Sequence, residues 1–387
     1  MSRMTSRLMK QRTATRLLVV ASALLLGACS IFKSDDALKP TALETGIGAG
    51  SAKVVWSSRI DSLDYPLSIA ARDHAFYVAG TDGIVQALST ADGHALWRAD
   101  AGRKLTAGVG SDGRFAAVVT RDNELVVFDA GKKTWKATLP TPAATAPFVA
   151  GERVFVLTLD RQVFAFDAID GRKLFTVSRP GDSLTLAKAS VLGAWQDTLI
   201  VGQGPRMTGL DPLRGSLRWE AAVANPRGTN EVERLADLVG PLQRNDKAGN
   251  ILCARAYQSA VGCVDADRGA PLWLRNSSGT DGICADAEQV YGTDDSSRLF
   301  AWKIKNGDTA WMAEQFRYRS LGVPISVGKY VLVGDFEGYI QFVDRSTGKT
   351  VARVPTDGSP ITAAPVELDG VVLFATTKGG LFAIKPE

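Results

Sequence analysis

Histidine is nearly missing from this 387-residue chain: there are 2, His74 and His94, and 4 cysteines. Neither histidine has a second His or a Cys at ligand spacing, so a tetrahedral His/Cys metal centre is not expected here. No HExxH, no nucleophile elbow and no glycine-rich phosphate cradle occurs, and the many Asp-Gly pairs sit where turns are expected. Long apolar runs are equally scarce. The longest, LLVVASALLL (Leu17 to Leu26), is about half of the roughly 20 residues that span a bilayer. Beyond residue 28 no arginine-rich run or basic stripe is present, so no nucleic-acid partner is expected.

The first 28 residues carry Arg3, Arg7, Lys10, Arg12 and Arg16 with no acid, then the apolar run, then Gly27-Ala28-Cys29. This is a secretory signal and is not fold material. Its end, Leu26-Gly27-Ala28-Cys29, resembles the lipobox of bacterial lipoproteins, which implies cleavage before Cys29 and acylation of its thiol. Ser30, in place of an aspartate, then directs the protein to the outer membrane. Without the signal, 40 basic residues face 41 acidic ones, so the sequence pI of 8.8 belongs largely to the discarded peptide. Residues 29–50 (CSIFKSDDALKPTALETGIGAG) are poor in aromatics and read as a lipidated flexible tether.

The remaining stretch, 51–387, is built on one repeated phrase. DGIVQALSTADGHALW (Asp82 to Trp97) returns as DNELVVFDAGKKTW (Asp122 to Trp135), DRQVFAFDAIDGRKLF (Asp160 to Phe175), GPRMTGLDPLRGSLRW (Gly204 to Trp219) and QSAVGCVDADRGAPLW (Gln258 to Trp273). SSRLFAWKIKNGDTAW (Ser296 to Trp311) and EGYIQFVDRSTGKTVA (Glu337 to Ala352) follow, and an eighth copy from Lys378 breaks off. Each unit of about 40 residues holds four short Val-, Phe-, Ile- and Leu-rich runs divided by Gly, Asp and Asn turns, the signature of a four-stranded antiparallel propeller blade. The expected fold is all-β: an eight-bladed propeller. The last copy lacks its fourth strand, and Lys53 to Trp56 is a fourth strand without a blade. Pairing the two closes the ring. Trp56, Trp97, Trp135, Trp219, Trp273 and Trp311 end fourth strands in common register and are expected to wedge each blade against the next.

Cys253 and Cys263 flank the turn Ala256 to Ser259 at distances that suit a cross-strand disulfide in an oxidising periplasm. Cys284 is left free and buried in the following blade. The largest gap between repeats falls in AAVANPRGTNEVERLADLVG after Trp219, and the preceding connection, Ser178 to Ser190, is also long. Both join a fourth strand to the next first strand and so emerge on one face. Asn230 with Glu233 has the form of a capping box opening a helical turn from Glu231 to Leu238. Leu184, Leu186, Leu235 and Leu238 are expected to stand on these protrusions as a partner surface.

The phrases ALSTADGHALW, AFDAIDGRKLF and FVDRSTGKTV resemble the repeat of the quinoprotein-dehydrogenase-like propellers. Enzymes of that superfamily hold a quinone and calcium over the ring centre, commonly with a vicinal cysteine pair that this chain lacks; no cofactor and no metal are expected here. Lipobox, tether, eight blades, NEVERLADLVGP (Asn230 to Pro241) and VGDFEGYIQFVDRSTGK (Val333 to Lys349) together resemble the BamB family, outer-membrane lipoproteins of the β-barrel assembly machinery. The resemblance implies a scaffold, not an enzyme, that binds the periplasmic POTRA modules of BamA and, through it, acts on unfolded barrel precursors. It places the family's two leucines on Leu184 and Leu186 and an acidic contact on Asp237, with Glu233 and Arg234 in support. The family's arginine falls on Ala187, beside Lys188, and its second aspartate on Val239. The competing readings are a periplasmic quinoprotein dehydrogenase and a lipoprotein propeller that takes peptide or glycan through its channel.

Overall fold

A computed structural model describes residues 38–386 except 49, 51, 62, 66, 67, 180–183, 227 and 245–248. The signal segment and the lipidation site Cys29 therefore lie outside the described residues. No helix occurs among those described. Their strands form eight sheets, which are the eight expected blades.

Blade 3 is typical. Phe148–Ala150, Arg153–Leu157, Val163–Asp167 and Lys173–Val177 pair antiparallel in chain order, from the ring centre outward. Its second and third strands are buried almost throughout and its outer strand is half exposed, because a middle strand is covered on both faces by neighbouring blades while the rim meets water. Clusters of Val, Phe, Leu and Ala fill the space between successive blades, as between blades 2 and 3, where Phe115, Val127, Val154 and Phe166 pack together.

Blade 8 is made from both chain ends. Lys53–Arg59 pairs antiparallel with Gly380–Lys385, from Lys53 opposite Lys385 to Arg59 opposite Gly380, beside Val371–Ala375 and Val366–Leu368. The closing strand runs on past Trp56 to Arg59.

The tryptophans lie where the repeat placed them, each against the turn between the third and fourth strands of the next blade. The indole N–H of Trp56 donates to the Thr90 carbonyl (2.9 Å), that of Trp135 to Ala168 (2.8 Å), that of Trp273 to Ile304 (2.7 Å) and that of Trp311 to Arg345 (2.8 Å). The ring also needs a glycine beneath it. Gly171 has φ +74°, and a Cβ there would stand 2.6 Å from the Trp135 ring, so both the left-handed turn and the close approach exclude a side chain. Blade 3 has Phe175 in place of Trp, under Gly215.

Three features depart from expectation. Blade 6 has five strands: between the first and second strands of blade 5, Gln243–Arg244 crosses over and pairs in parallel with Cys284–Ala285. The turn after Asn230 is a single turn at 231–234. It stops there because Leu238–Val239 pairs with Ile251–Ala256 as the first strand of blade 5. Finally, the body begins at Thr41, not at 51: Thr41 donates to the Arg317 carbonyl (2.9 Å) and Gly48 accepts from the Arg353 amide (2.8 Å).

Two variants test the closure. Deleting residues 51–60 should lower the melting temperature sharply and open the last blade to protease. Trp56→Ala should cost about 3–5 kcal/mol in chemical denaturation, the usual range for a buried tryptophan; a midpoint equal to that of the wild type in both would refute the seal.

Candidate docking site

In a blade whose strands alternate in direction, the turn between strands two and three and the connection to the next blade share a face. Residues 178–191 join blade 3 to blade 4, whose strands run from Leu192–Trp195 to Leu217–Ala222. Residues 223–237 then lead into Leu238–Val239 of blade 5. The two insertions meet on that face and are stitched to each other and to the turns below. Gly240 donates to the Ala189 carbonyl (2.9 Å), Leu238 to Gly204 (2.9 Å) and Tyr257 to Asp237 (3.0 Å).

Asp237 is the centre of the site. One carboxylate oxygen accepts from Arg161 (3.0 Å) and the other from the Leu186 backbone amide (2.7 Å), while Arg161 also donates to the Leu184 carbonyl (3.2 Å). Both charged side chains are largely buried, at 14% and 13% exposure, so little solvent screens the pair. The second insertion thus holds the backbone of the first in place through an arginine from the blade 3 turn. Lys188 adds a further tie, donating to Asp281 and to the Thr280 carbonyl (both 2.8 Å) on the connection from blade 5 to blade 6. On the outer side, Asn230 accepts from the Glu233 amide (2.9 Å) and Glu233 accepts from the Thr229 amide (2.7 Å). The bonds from Thr229, its amide foremost, hold the Glu233 carboxyl below its ordinary range.

The side chains expected to face a partner divide accordingly. Leu184, Leu186 and Leu235 are half-buried at the site, Arg234 lies beside them, and Glu233 is exposed. Leu238 does not belong with them: it is 1% exposed and packs into the core between blades 4 and 5, because strand pairing turns it inward. Asp237 and Lys188 are likewise engaged internally and position the loops. The sequence pattern did not single out Val232, which is 72% exposed at the tip of the turn, or Arg161. The repeat did carry a signal for Arg161. It occupies the left-handed turn position (φ +64°) where other blades place Gly83, Asn123 or Gly338, and an arginine there is unusual.

Beside the loops is a cleft of about 780 Å³ whose lining includes Leu184, Leu235, Arg161, Arg206 and Glu220. Arg179 and Arg206 both pair with Glu220 and Arg161 pairs with Asp237, so ion pairs share the lining with Leu184 and Leu235. The central channel, about 680 Å³, is lined mostly by small and apolar side chains of the innermost strands, with Arg72 and Glu367 as the charged members. Calcium takes six to eight oxygen ligands, and one carboxylate in the channel does not suit a quinone–calcium pair. Among the described residues no group of three or more His, Cys, Asp or Glu is placed to hold a metal.

In blade 5, Cys253 and Cys263 face each other across the second and third strands, Cα atoms 4.0 Å apart, and are joined as a disulfide. Cys284 is free and buried in blade 6, and burial pushes its thiol far above the usual range.

The profile of the outer membrane protein assembly factor BamB family matches residues 81–313. The Bordetella pertussis protein of that name is 33% identical over 95% of this chain and 96% of its own length. The chain belongs to the BamB family. The Escherichia coli member is 25% identical over 94% of this chain and 96% of its own. The crystal structure of BamB from Moraxella catarrhalis superimposes with a TM-score of 0.75, covering 87% of this chain and 98% of that one at 22% identity. The quinohemoprotein alcohol dehydrogenase of Comamonas testosteroni shares the fold at a TM-score of 0.66 and 16% identity, covering 86% of this chain and 76% of that one.

Asp237→Ala should lower the unfolding free energy by about 2–4 kcal/mol, since it strands the Arg161 charge and the Leu186 amide, and should accelerate hydrogen exchange of that amide. Replacing Cys253 and Cys263 by serine should cost about 2–3 kcal/mol for so short a loop, read from denaturant midpoints under oxidising conditions.

Proposed function

We propose that this chain is a non-catalytic scaffold of outer-membrane β-barrel assembly, anchored to the inner leaflet of the outer membrane by acylated Cys29. In this reading it holds the POTRA modules of BamA on the face carrying residues 184–190 and 229–237, and promotes insertion of barrel precursors delivered there. The observation that carries the proposal is the Arg161–Asp237–Leu186 junction. It fixes two long insertions, on an otherwise regular ring, into one platform with Leu184, Leu186, Leu235 and Val232 at or near its surface. A rigid platform with apolar anchors loses little conformational entropy when a partner docks. The names of the relatives, all assembly factors, agree with this use.

The site is read by pull-down from solubilised outer membranes. Leu184→Arg and Leu235→Arg should each weaken BamA capture by at least about tenfold, the scale of a central interface residue, at an unchanged unfolding midpoint. Full capture by both variants would refute the assignment. Purified protein supplied with calcium and pyrroloquinoline quinone should reduce no dye; reduction would establish the dehydrogenase reading instead.

A further inference from the structure

The segment expected to swing freely ahead of the ring is instead bound to it. Thr41 donates to the Arg317 carbonyl (2.9 Å) and accepts from the Arg319 guanidinium (3.2 Å). The Glu44 carbonyl accepts from the Arg353 side chain (3.1 Å), and the Gly48 carbonyl from the Arg353 amide (2.8 Å). Arg319 is itself 3% exposed and held by Asp335 (2.8 Å) and by Glu337, so its position is set by blade 7 and not by the segment it grips.

Gly50 explains why a tail can lie here. In the other blades the fourth-strand ring sits under a turn of the next blade, but blade 8 has no such turn, because its fourth strand comes from the opposite chain end. Blade 7 accordingly has Ala352 in place of Trp. Gly50, with φ +58° like the turn glycines, approaches Ala352 so closely that a Cβ on it would lie 3.2 Å from the Ala352 Cβ. The incoming chain stands in for the missing turn.

We propose that residues 41–50 form a strap that fixes where the anchored N-terminus leaves the ring. Arg317 and Arg319 lie on the connection from blade 6 to blade 7, the same class of connection as the two docking insertions, so the exit at Thr41 is on the docking face. Between Cys29 and Thr41 the chain can reach at most about 40 Å, against about 75 Å if it were free as far as residue 51. A shorter leash raises the effective concentration of the docking face at membrane-held BamA. The coupling to BamA rests on the proposed function; the strap does not.

Hydrogen exchange on the full chain decides the strap. The Thr41 and Arg353 amides should exchange at least about tenfold more slowly than in an unstructured peptide, and exchange at peptide rates overturns the proposal. Ala352→Trp, which fills the place of Gly50, and Arg353→Ala should each speed cleavage at Glu44 by a glutamate-specific protease by about tenfold or more, under conditions where the ring, followed by its unfolding midpoint, stays fully folded. Cleavage as slow as in the wild type overturns it, and if either variant fails to fold, exchange in the wild type decides alone. For the coupling, Ala352→Trp should capture BamA normally in detergent and less well in intact outer membranes. Equal capture in both settings overturns the coupling. Failure of the wild type to capture BamA in either setting would instead sink the docking assignment, with the strap still judged by exchange.

Discussion

The pairing of Lys53–Arg59 with Gly380–Lys385 is the constraint on which the molecule depends. A propeller blade is covered on both faces only when it has neighbours on both sides, and a row of eight blades has two uncovered ends unless they meet. Building one blade from both termini ties the two ends together: neither can leave without exposing the strand edge of the other and the cluster of Trp56, Phe76, Leu373 and Leu381 between blades 8 and 1. Stability is then cooperative around the ring, because each blade is supported by the closure of the whole.

The closure also dictates local exceptions. Each aromatic wedge needs a glycine turn on the next blade, so the place where that turn is missing must be the place where the wedge is missing. Ala352 and the arrival of Gly50 beside it follow from the seal. The same geometry explains why loops can grow on one face without disturbing the wedges, which lie toward the other. The insertions that join blades 3, 4 and 5 use this freedom, and Asp237, by binding both Arg161 and the Leu186 amide, converts loop length into a fixed surface.

Partner sites on such a scaffold depend less on reactive groups than on how firmly apolar side chains are held in view. Here the charged residues nearest the leucines, Asp237 and Lys188, are consumed in holding them. Val232 is left exposed and Leu184, Leu186 and Leu235 half-buried, the surface on which the proposed docking rests. The disulfide between Cys253 and Cys263 stiffens the hairpin of blade 5 beneath the second insertion.

The repeat alone determined the blade count, the four strands every blade shares and the wedge tryptophans, because each is a local rule repeated around the ring: an alternating apolar run, a tight turn, an aromatic in fixed register; its truncated last copy, beside an orphan strand at Lys53 to Trp56, gave the closure. It also located the insertions, since these are interruptions of a period. What lay beyond it was decided by neighbours distant in the chain. Leu238 reads as the end of a helical turn but is claimed by a strand partner at Ala256. Asp237 reads as a contact but faces Arg161, 76 residues away. Residues 41–50 read as tether from composition, yet the backbone carbonyls that bind them to Arg319 and Arg353 carry no side-chain signature. Periodicity specifies which residues pack within and between blades; only the assembled ring specifies which polar groups and chain ends find one another across it.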